Sequence, residues 1–222
     1  PQQFAFGTLY GRFTTDGSVT GYGFDLTATF SGPLSINITP LNNNNQSNNA
    51  ILIGTNAGAF SQGTNAVAIG FGTGRTNQFT NAVAIGLNAG AATQAANAVA
   101  IGVQAGQTNQ GTNAVAIGLT AGQFGQLDNT VAIGINAGQT SQFANAVAIG
   151  LTAGRSGQGT NAVAIGPGAG GFSQGTNAVA IGSNVGQFGQ FINAVAIGTN
   201  SGQSAQGTNA VAIGWGAGQT FQ

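Results

Sequence analysis

Apolar and polar residues follow a strict 16-residue period from residue 49 onward. The consensus reads N-A-V-A-I-G-x-x-A-G-x-x-x-Q-x-x, and its Asn begins eleven consecutive repeats, from Asn49 to Asn209. A-V-A-I is a short apolar run that contains β-branched residues and is bounded by Asn and Gly, a pattern typical of a β-strand. The period therefore predicts one short V-A-I strand in every repeat.

The length of the repeat determines how these strands connect. Sixteen residues are too few for a strand, a crossover helix and a return strand, which need about 30 residues. Each repeat is expected to form one turn of an all-β parallel β-solenoid, with two short strands and two tight corners. Gly70 and Gly74 mark corners in the second repeat, since glycine tolerates positive φ. Coils spaced by about 4.8 Å would extend the eleven turns over about 50 Å.

Polar residues that recur at fixed positions are expected to stack into ladders. Asn65 and Asn113 represent the Asn position, and Gln78 represents the Gln position. Side-chain amides in register can hydrogen bond to their copies in the coils above and below. We interpret both ladders as structural.

The predicted strand has two apolar faces, because successive side chains point to opposite sides. Val67 and Ile69 share one face, as do Val115 and Ile117 three repeats later, whereas Ala66 and its equivalents share the other. A strand that is apolar on both faces is usually buried on both. One face can fill the coil, and the other predicts side-by-side oligomerisation. The pattern leaves open which face serves the oligomer, and an Ala face could also simply tolerate solvent.

Residues 1–40 depart from the repeat and alternate with period two in the runs 24–30 and 34–38. We predict an N-terminal antiparallel β segment over 1–40, with a hairpin turn at Asp16-Gly17, as a cap or joining module. An Asn-rich linker is expected over 41–48, before the solenoid repeats of 49–222.

Trp215 and Phe221 are apolar residues of the final repeat. They suggest an open solenoid end that pairs with the N-terminal strands of another subunit, giving a head-to-tail filament. The alternative is that the chain is a piece of a longer fibre.

The composition excludes several classes of function. Charged residues make up 3% of the chain, where about 25% is typical, and Lys, Glu, His, Cys and Met are absent. Phosphate neutralisation in nucleic-acid binding needs many Lys and Arg, and transition-metal sites use His and Cys. General acid–base catalysis also needs titratable groups, so we expect no enzyme, no cofactor, no metal and no nucleic-acid partner. No apolar run approaches the roughly 18 residues of a membrane span.

The N-A-V-A-I-G unit resembles the head repeats of trimeric autotransporter adhesins, which typically read N-S-V-A-I-G-x-x-S. The ranges 65–70, 113–118 and 161–166 match that core, and the resemblance covers 49–222. It implies a left-handed parallel β-roll, three chains side by side and an exposed adhesive fibre; similar repeats occur in viral and phage fibres. The sequence departs from the family pattern in its longer period and in Ala at most of the Ser positions, although Ser201 keeps the second Ser.

These observations favour a structural fibre or filament subunit that associates with itself, in an extracellular location or on a cell or virion surface. The first alternative is an adhesin that binds a surface receptor or glycan. An ice-binding protein comes third, because the Thr row that begins at Thr64 is interrupted at Ala96, Asp128, Ala144 and Ile192.

Two repeat positions carry phenylalanine in several coils. These rings could form an exposed aromatic stripe for adhesion, but we expect them to fill the corners of the coils. The residues are Phe60, Phe124, Phe172 and Phe188 at one position, and Phe79, Phe143 and Phe191 at the other.

Overall fold

A computed structural model describes residues 26–29, 35–38 and 49–220. The first two ranges are the strands β1 (Leu26–Thr29) and β2 (Ser35–Ile38), which pair antiparallel with Leu26 opposite Ile38. They belong to a unit separate from the repeats. The predicted turn at Asp16-Gly17, the predicted linker over 41–48 and Phe221 lie outside the described residues. The proposed domain boundaries therefore remain a prediction.

The repeats form the predicted all-β parallel solenoid, with two three-residue strands in each complete coil. The ten V-A-I strands and the equivalent I-L-I strand of the first coil form one eleven-stranded sheet, here called the VAI sheet. Its strands are β3 (Ile51–Ile53), β5 (Val67–Ile69), β7 (Val83–Ile85), β9 (Val99–Ile101), β11 (Val115–Ile117), β13 (Val131–Ile133), β15 (Val147–Ile149), β17 (Val163–Ile165), β19 (Val179–Ile181), β21 (Val195–Ile197) and β23 (Val211–Ile213).

The strands that end in the recurring Gln form a ten-stranded sheet, here called the Gln sheet. Its strands are β4 (Phe60–Gln62), β6 (Thr76–Gln78), β8 (Ala92–Gln94), β10 (Thr108–Gln110), β12 (Phe124–Gln126), β14 (Thr140–Gln142), β16 (Ser156–Gln158), β18 (Phe172–Gln174), β20 (Phe188–Gln190) and β22 (Ser204–Gln206).

Each strand pairs with its equivalent one coil away, so the 16-residue period becomes the register of both sheets. In the VAI sheet all three residues pair, as in Val115 with Val131 and Ile117 with Ile133. In the Gln sheet only the first and last residues pair, as in Gln110 with Gln126. The middle residue has left-handed backbone there, with φ of 70° at Gly125.

The described parts of the chain contain no helix that could reach across a membrane.

Candidate self-association surface

Alanine lines the inside of each coil. In the fifth coil Ala114, Ala116 and Ala121 have no exposed surface, and the same positions are buried along most of the solenoid. The strand's Ala face is therefore the inner one, and Val and Ile point outward. The Val and Ile face is therefore the one available for contacts with another chain, a choice that the alternation of apolar residues left open.

The Gln residues of the Gln sheet, here called the Gln column, also lie inside the coil, and their exposure does not exceed 2%. Gln78 Nε2 donates to the carbonyl oxygen of Val67 at 2.8 Å and to that of Ala82 at 3.3 Å. It also donates to Gln94 Oε1 at 2.9 Å, which continues the amide ladder. Because Val67 belongs to the opposite sheet, the Gln side chain links the two sheets across the lumen. Sequence reasoning placed Gln78 in a ladder but missed this link to the backbone.

In every coil but the last, two glycines occupy space that no side chain could share. Gly70 has φ of 131°, and a Cβ atom there would lie 2.7 Å from the carbonyl oxygen of Gly86. Gly74 has φ of 52°, and its Cβ would collide with the amide oxygen of Gln78. Both therefore hold corner positions where left-handed backbone and close approach coincide.

The recurring Asn residues, here called the Asn column, are exposed at the corner before each V-A-I strand. Asn65 and Asn113 both have φ of 57°, a left-handed conformation that Asn tolerates better than most residues. Their side-chain amides form a ladder: Asn65 Nδ2 donates to Asn81 Oδ1 at 3.1 Å and Asn113 Nδ2 to Asn129 Oδ1 at 3.0 Å.

The outward Val and Ile side chains of the VAI sheet form an apolar strip, here called the VAI face. Val67 and Ile69 are half-buried, as are Val115 and Ile117. Large apolar side chains that remain partly exposed in register over many coils are a feature of interaction surfaces.

A second row of outward residues stands two positions after each Ile and is here called the flank column. Its members are Thr55, Phe71, Leu87, Val103, Leu119, Ile135, Leu151, Pro167, Ser183, Thr199 and Trp215. Most are large and apolar, and Trp215 is 82% exposed.

The phenylalanine rows lie on the outside of the solenoid, so the prediction that they fill corners was wrong. Phe60, Phe124 and Phe188 are exposed, as are Phe79 and Phe191 at the second position. The narrow interior has room only for Ala, the Gln side chains and a few small residues such as Thr73. On the Gln sheet, Phe172 and Phe188 stack with ring centroids 5.7 Å apart.

The described part of the chain offers little acid–base or metal chemistry. Its charged residues are Arg75, Asp128 and Arg155, and within it no three His, Cys, Asp or Glu side chains group together. Arg155 lies 5.9 Å from the centre of the Phe172 ring and hydrogen bonds Gln139 through Nε at 3.3 Å.

Comparison with known proteins gives one family match. The model of the YadA head domain repeat matches residues 192–217, in two copies. No curated protein and no solved structure matches the chain. The matched residues include β21 and β23, whose pairing is the same as in the other coils. The repeats of this solenoid are therefore similar to YadA head repeats, and the predicted resemblance to the heads of trimeric autotransporter adhesins is confirmed.

Proposed function

We propose that this chain is a non-enzymatic, surface-exposed adhesive fibre element whose copies associate side by side, as trimers, through the VAI face. The VAI face carries the proposal, because Val and Ile stand half-exposed in coil after coil. Each coil repeats the same apolar surface about 4.8 Å further along the axis. Parallel copies in contact would bury this strip continuously.

The electrostatics of the chain support the same conclusion. The sequence has three positive and three negative residues in total. Few charges mean little repulsion between copies, and neither Lys nor Glu is available to guard a sheet against pairing. Self-association is therefore the expected state of this surface.

The similarity to YadA head repeats favours an adhesive role on a cell surface over a purely mechanical one. The Gln sheet supplies a separate outward surface for contacts with a receptor or glycan. Its exposed Phe side chains, including Phe124 and Phe188, would remain accessible after the VAI faces have joined. Exposed apolar patches of this kind mark interaction sites.

The test is the mass of the particle in solution. We expect sedimentation equilibrium to give a trimer for the wild-type chain and a monomer for the variant Ile85→Thr, Ile117→Thr, Ile149→Thr. Threonine keeps the β-branched shape that suits a strand but removes apolar area from the VAI face. Circular dichroism should show unchanged β structure.

The matched control replaces three residues of the Gln sheet, Phe60→Thr, Phe124→Thr and Phe188→Thr. This variant should remain trimeric and should lose binding to a glycan array that the wild-type chain binds. A wild-type monomer, or an Ile variant that keeps the wild-type mass, contradicts association through the VAI face. Equal binding by the wild-type chain and the Phe variant contradicts adhesion through the Gln sheet.

A further inference from the structure

A row of residues stands immediately before the strands of the Gln sheet, one in each coil, and is here called the pre-strand row. In three consecutive coils its amides form a ladder: Gln139 Nε2 donates to Gln123 Oε1 at 3.2 Å, and Gln123 Nε2 donates to Gln107 Oε1 at 3.0 Å. Arg155 extends this ladder by donating Nε to Gln139 Oε1 at 3.3 Å. The ladder therefore holds the guanidinium group in place. The full row is Ala59, Arg75, Ala91, Gln107, Gln123, Gln139, Arg155, Gly171, Gln187, Gln203 and Gln219.

The ladder stops at Arg155 because the next residue of the row, Gly171, has no side chain. The backbone does not require glycine at this position. Its φ lies outside the left-handed region, and a Cβ atom would stand 3.4 Å from the carbonyl oxygen of Gly168 and 3.5 Å from that of Gln187, which are ordinary contact distances. An amide side chain would fit there, and its absence leaves Arg155 exposed.

An aromatic ring lies beside this exposed cation. The guanidinium carbon of Arg155 is 5.9 Å from the centre of the Phe172 ring, a distance at which a ring attracts a cation. Phe188 stacks on Phe172 with the two rings 2° from parallel, which supports the ring from one side. On the other side Phe172 pairs with Ser156, whose small side chain leaves the second ring face uncovered. Arg155, Phe172 and Phe188 are here called the Arg155 cluster.

The Arg155 cluster presents two different groups to a ligand. The Nη groups of Arg155 form no hydrogen bond within the described residues, and their fork matches the two oxygens of a carboxylate. The acidic residue of the described ranges, Asp128, instead accepts from the backbone N–H of Thr112 at 2.7 Å. The exposed ring face offers an apolar contact of the kind that the C–H face of a pyranose makes. A sugar ring that carries a carboxylate satisfies both groups at once.

A peptide strand is a poorer match for this surface. Peptides that add to a sheet bind through the free backbone groups of an edge strand. Strands β16 and β18 are each paired with a neighbour on both sides, so the sheet has no free edge at the Arg155 cluster. Recognition there depends on side chains alone.

We propose that the Arg155 cluster is a binding site for acidic saccharides, in which Arg155 binds the carboxylate and Phe172 contacts the C–H face of the sugar ring. The inference rests on the proposed adhesive role of the Gln sheet and specifies the class of glycan that this sheet recognises. Phe188 positions the Phe172 ring, and the amide ladder positions the guanidinium group.

Two other places on the solenoid carry only half of the Arg155 cluster and provide matched controls. Arg75 belongs to the same row, but Ala92 stands where Phe172 stands relative to Arg155. Phe124 occupies the same repeat position as Phe172, but Gln107 replaces the arginine one coil before it. Neither a cation without the ring nor a ring without the cation is expected to select an acidic sugar.

The test is titration calorimetry of the full chain with tetragalacturonic acid and with its methyl ester, which has lost the negative charge. We expect the wild-type chain to bind the acid more tightly than the ester. Arg155→Gln introduces the commonest residue of the row and should lower the affinity for the acid about tenfold, the loss of one hydrogen bond to a charged group. It should also remove the preference for the acid, whereas Arg75→Gln should change neither.

Two further variants test the ring and the uncovered space. Phe172→Leu should weaken binding of the acid several-fold, and Phe124→Leu should leave it unchanged. Gly171→Gln continues the amide ladder and covers the guanidinium group, so it should also weaken binding several-fold. Its thermal unfolding should match that of the wild-type chain, which separates a blocked site from a damaged fold.

The outcomes distinguish this inference from the proposed function. Equal binding of the acid and the ester by the wild-type chain, or equal affinities of Arg155→Gln and Arg75→Gln, overturns the acidic-saccharide site. Adhesion through the Gln sheet then still stands if the triple Phe variant loses binding to the glycan array. Tighter binding of tetraglutamate than of tetragalacturonic acid overturns the site too, because the ligand would be a peptide. A wild-type chain that binds no glycan overturns both proposals.

Discussion

The two sheets of the solenoid share the same coils but differ in how much their sequences vary. In the VAI sheet, strands β5 to β23 are identical at all three residues. In the Gln sheet only the final Gln is constant, and the first residue is Phe, Thr, Ala or Ser. The coil spacing is common to both sheets, so stacking alone does not explain the difference.

The difference follows from the surroundings of each side chain. In the VAI sheet the middle Ala is buried in the lumen, and the flanking Val and Ile form the VAI face. In the Gln sheet only Gln points inward, since the first residue faces outward and the middle residue has left-handed backbone. Within the two sheets, a position varies where its side chain meets solvent and stays constant where its side chain meets the lumen or the proposed neighbour.

The largest effect should come from adding one methyl group at the corner that ends a VAI strand. Gly118→Ala places a Cβ atom 2.6 Å from the carbonyl oxygen of Gly134, at φ of 129°. Neither atom belongs to a flexible side chain, so the backbone must move. We expect a loss of about 3–5 kcal/mol in the free energy of unfolding, measured by urea denaturation at one protein concentration.

The matched control lies in the same coil, in the Gln sheet. A Cβ atom on Gly125 meets no atom closer than 3.9 Å, and Ala205 occupies the equivalent position with φ of 50°. Gly125→Ala should therefore cost only about 1 kcal/mol, the price of left-handed backbone. Similar losses for the two variants would contradict the difference drawn between the sheets.

A smaller effect is expected for the constant residue of the Gln sheet. Gln126 Nε2 donates to the carbonyl oxygen of Val115 at 2.9 Å and to Gln142 Oε1 at 3.1 Å. Gln126→Leu leaves both acceptors buried without this donor, which should cost about 2–3 kcal/mol in the same denaturation experiment.

Gln187→Leu makes the same chemical change outside the lumen, where the side chain is half-buried. Its expected cost is within about 0.5 kcal/mol. If Gln126→Leu were as well tolerated as Gln187→Leu, the Gln column would not link the two sheets energetically.

Much of the fold could be predicted because the repeat imposes its period on the backbone. The V-A-I strands, the parallel solenoid and corners at Gly70 and Gly74 all follow from spacing and residue type. The sequence did not predict which strand face lines the lumen. The alternation of residues places Ala on one face and Val and Ile on the other, but it does not indicate which face points inward. The volume of the lumen decides this, and that volume depends on how closely the two sheets approach.

Two further features depended on three-dimensional context. Gln78 is polar, and a polar ladder is usually expected at the surface, yet the backbone carbonyl groups of the opposite sheet satisfy its amide inside the coil. Phe124 and Phe188 are large and apolar, and they stand outside, whereas Ala and the Gln side chains fill the lumen. Hydrophobicity alone therefore does not determine the inside of this coil, because the lumen also takes a polar side chain whose amide meets backbone carbonyl groups.

The smallest loss of stability is expected for substitutions in the Asn column. They should separate the contribution of the left-handed backbone from that of the amide ladder. Asn113 combines a φ of 57° with amide hydrogen bonds to the coils on both sides, from Asn97 at 3.1 Å and to Asn129 at 3.0 Å. Asn113→Gly keeps the backbone conformation and removes the amide, whereas Asn113→Ala removes the amide and strains the backbone. Because the amides are exposed, we expect about 0.5 kcal/mol for the Gly variant and about 1–2 kcal/mol for the Ala variant.

Thermal denaturation of the two variants at matched concentration measures that difference directly. A lower melting temperature for Asn113→Ala than for Asn113→Gly would show that the corner conformation holds Asn at this position. Equal decreases would assign the role to the amide ladder instead. In that case the constancy of the Asn column would arise from contacts between coils and not from the geometry of a single corner.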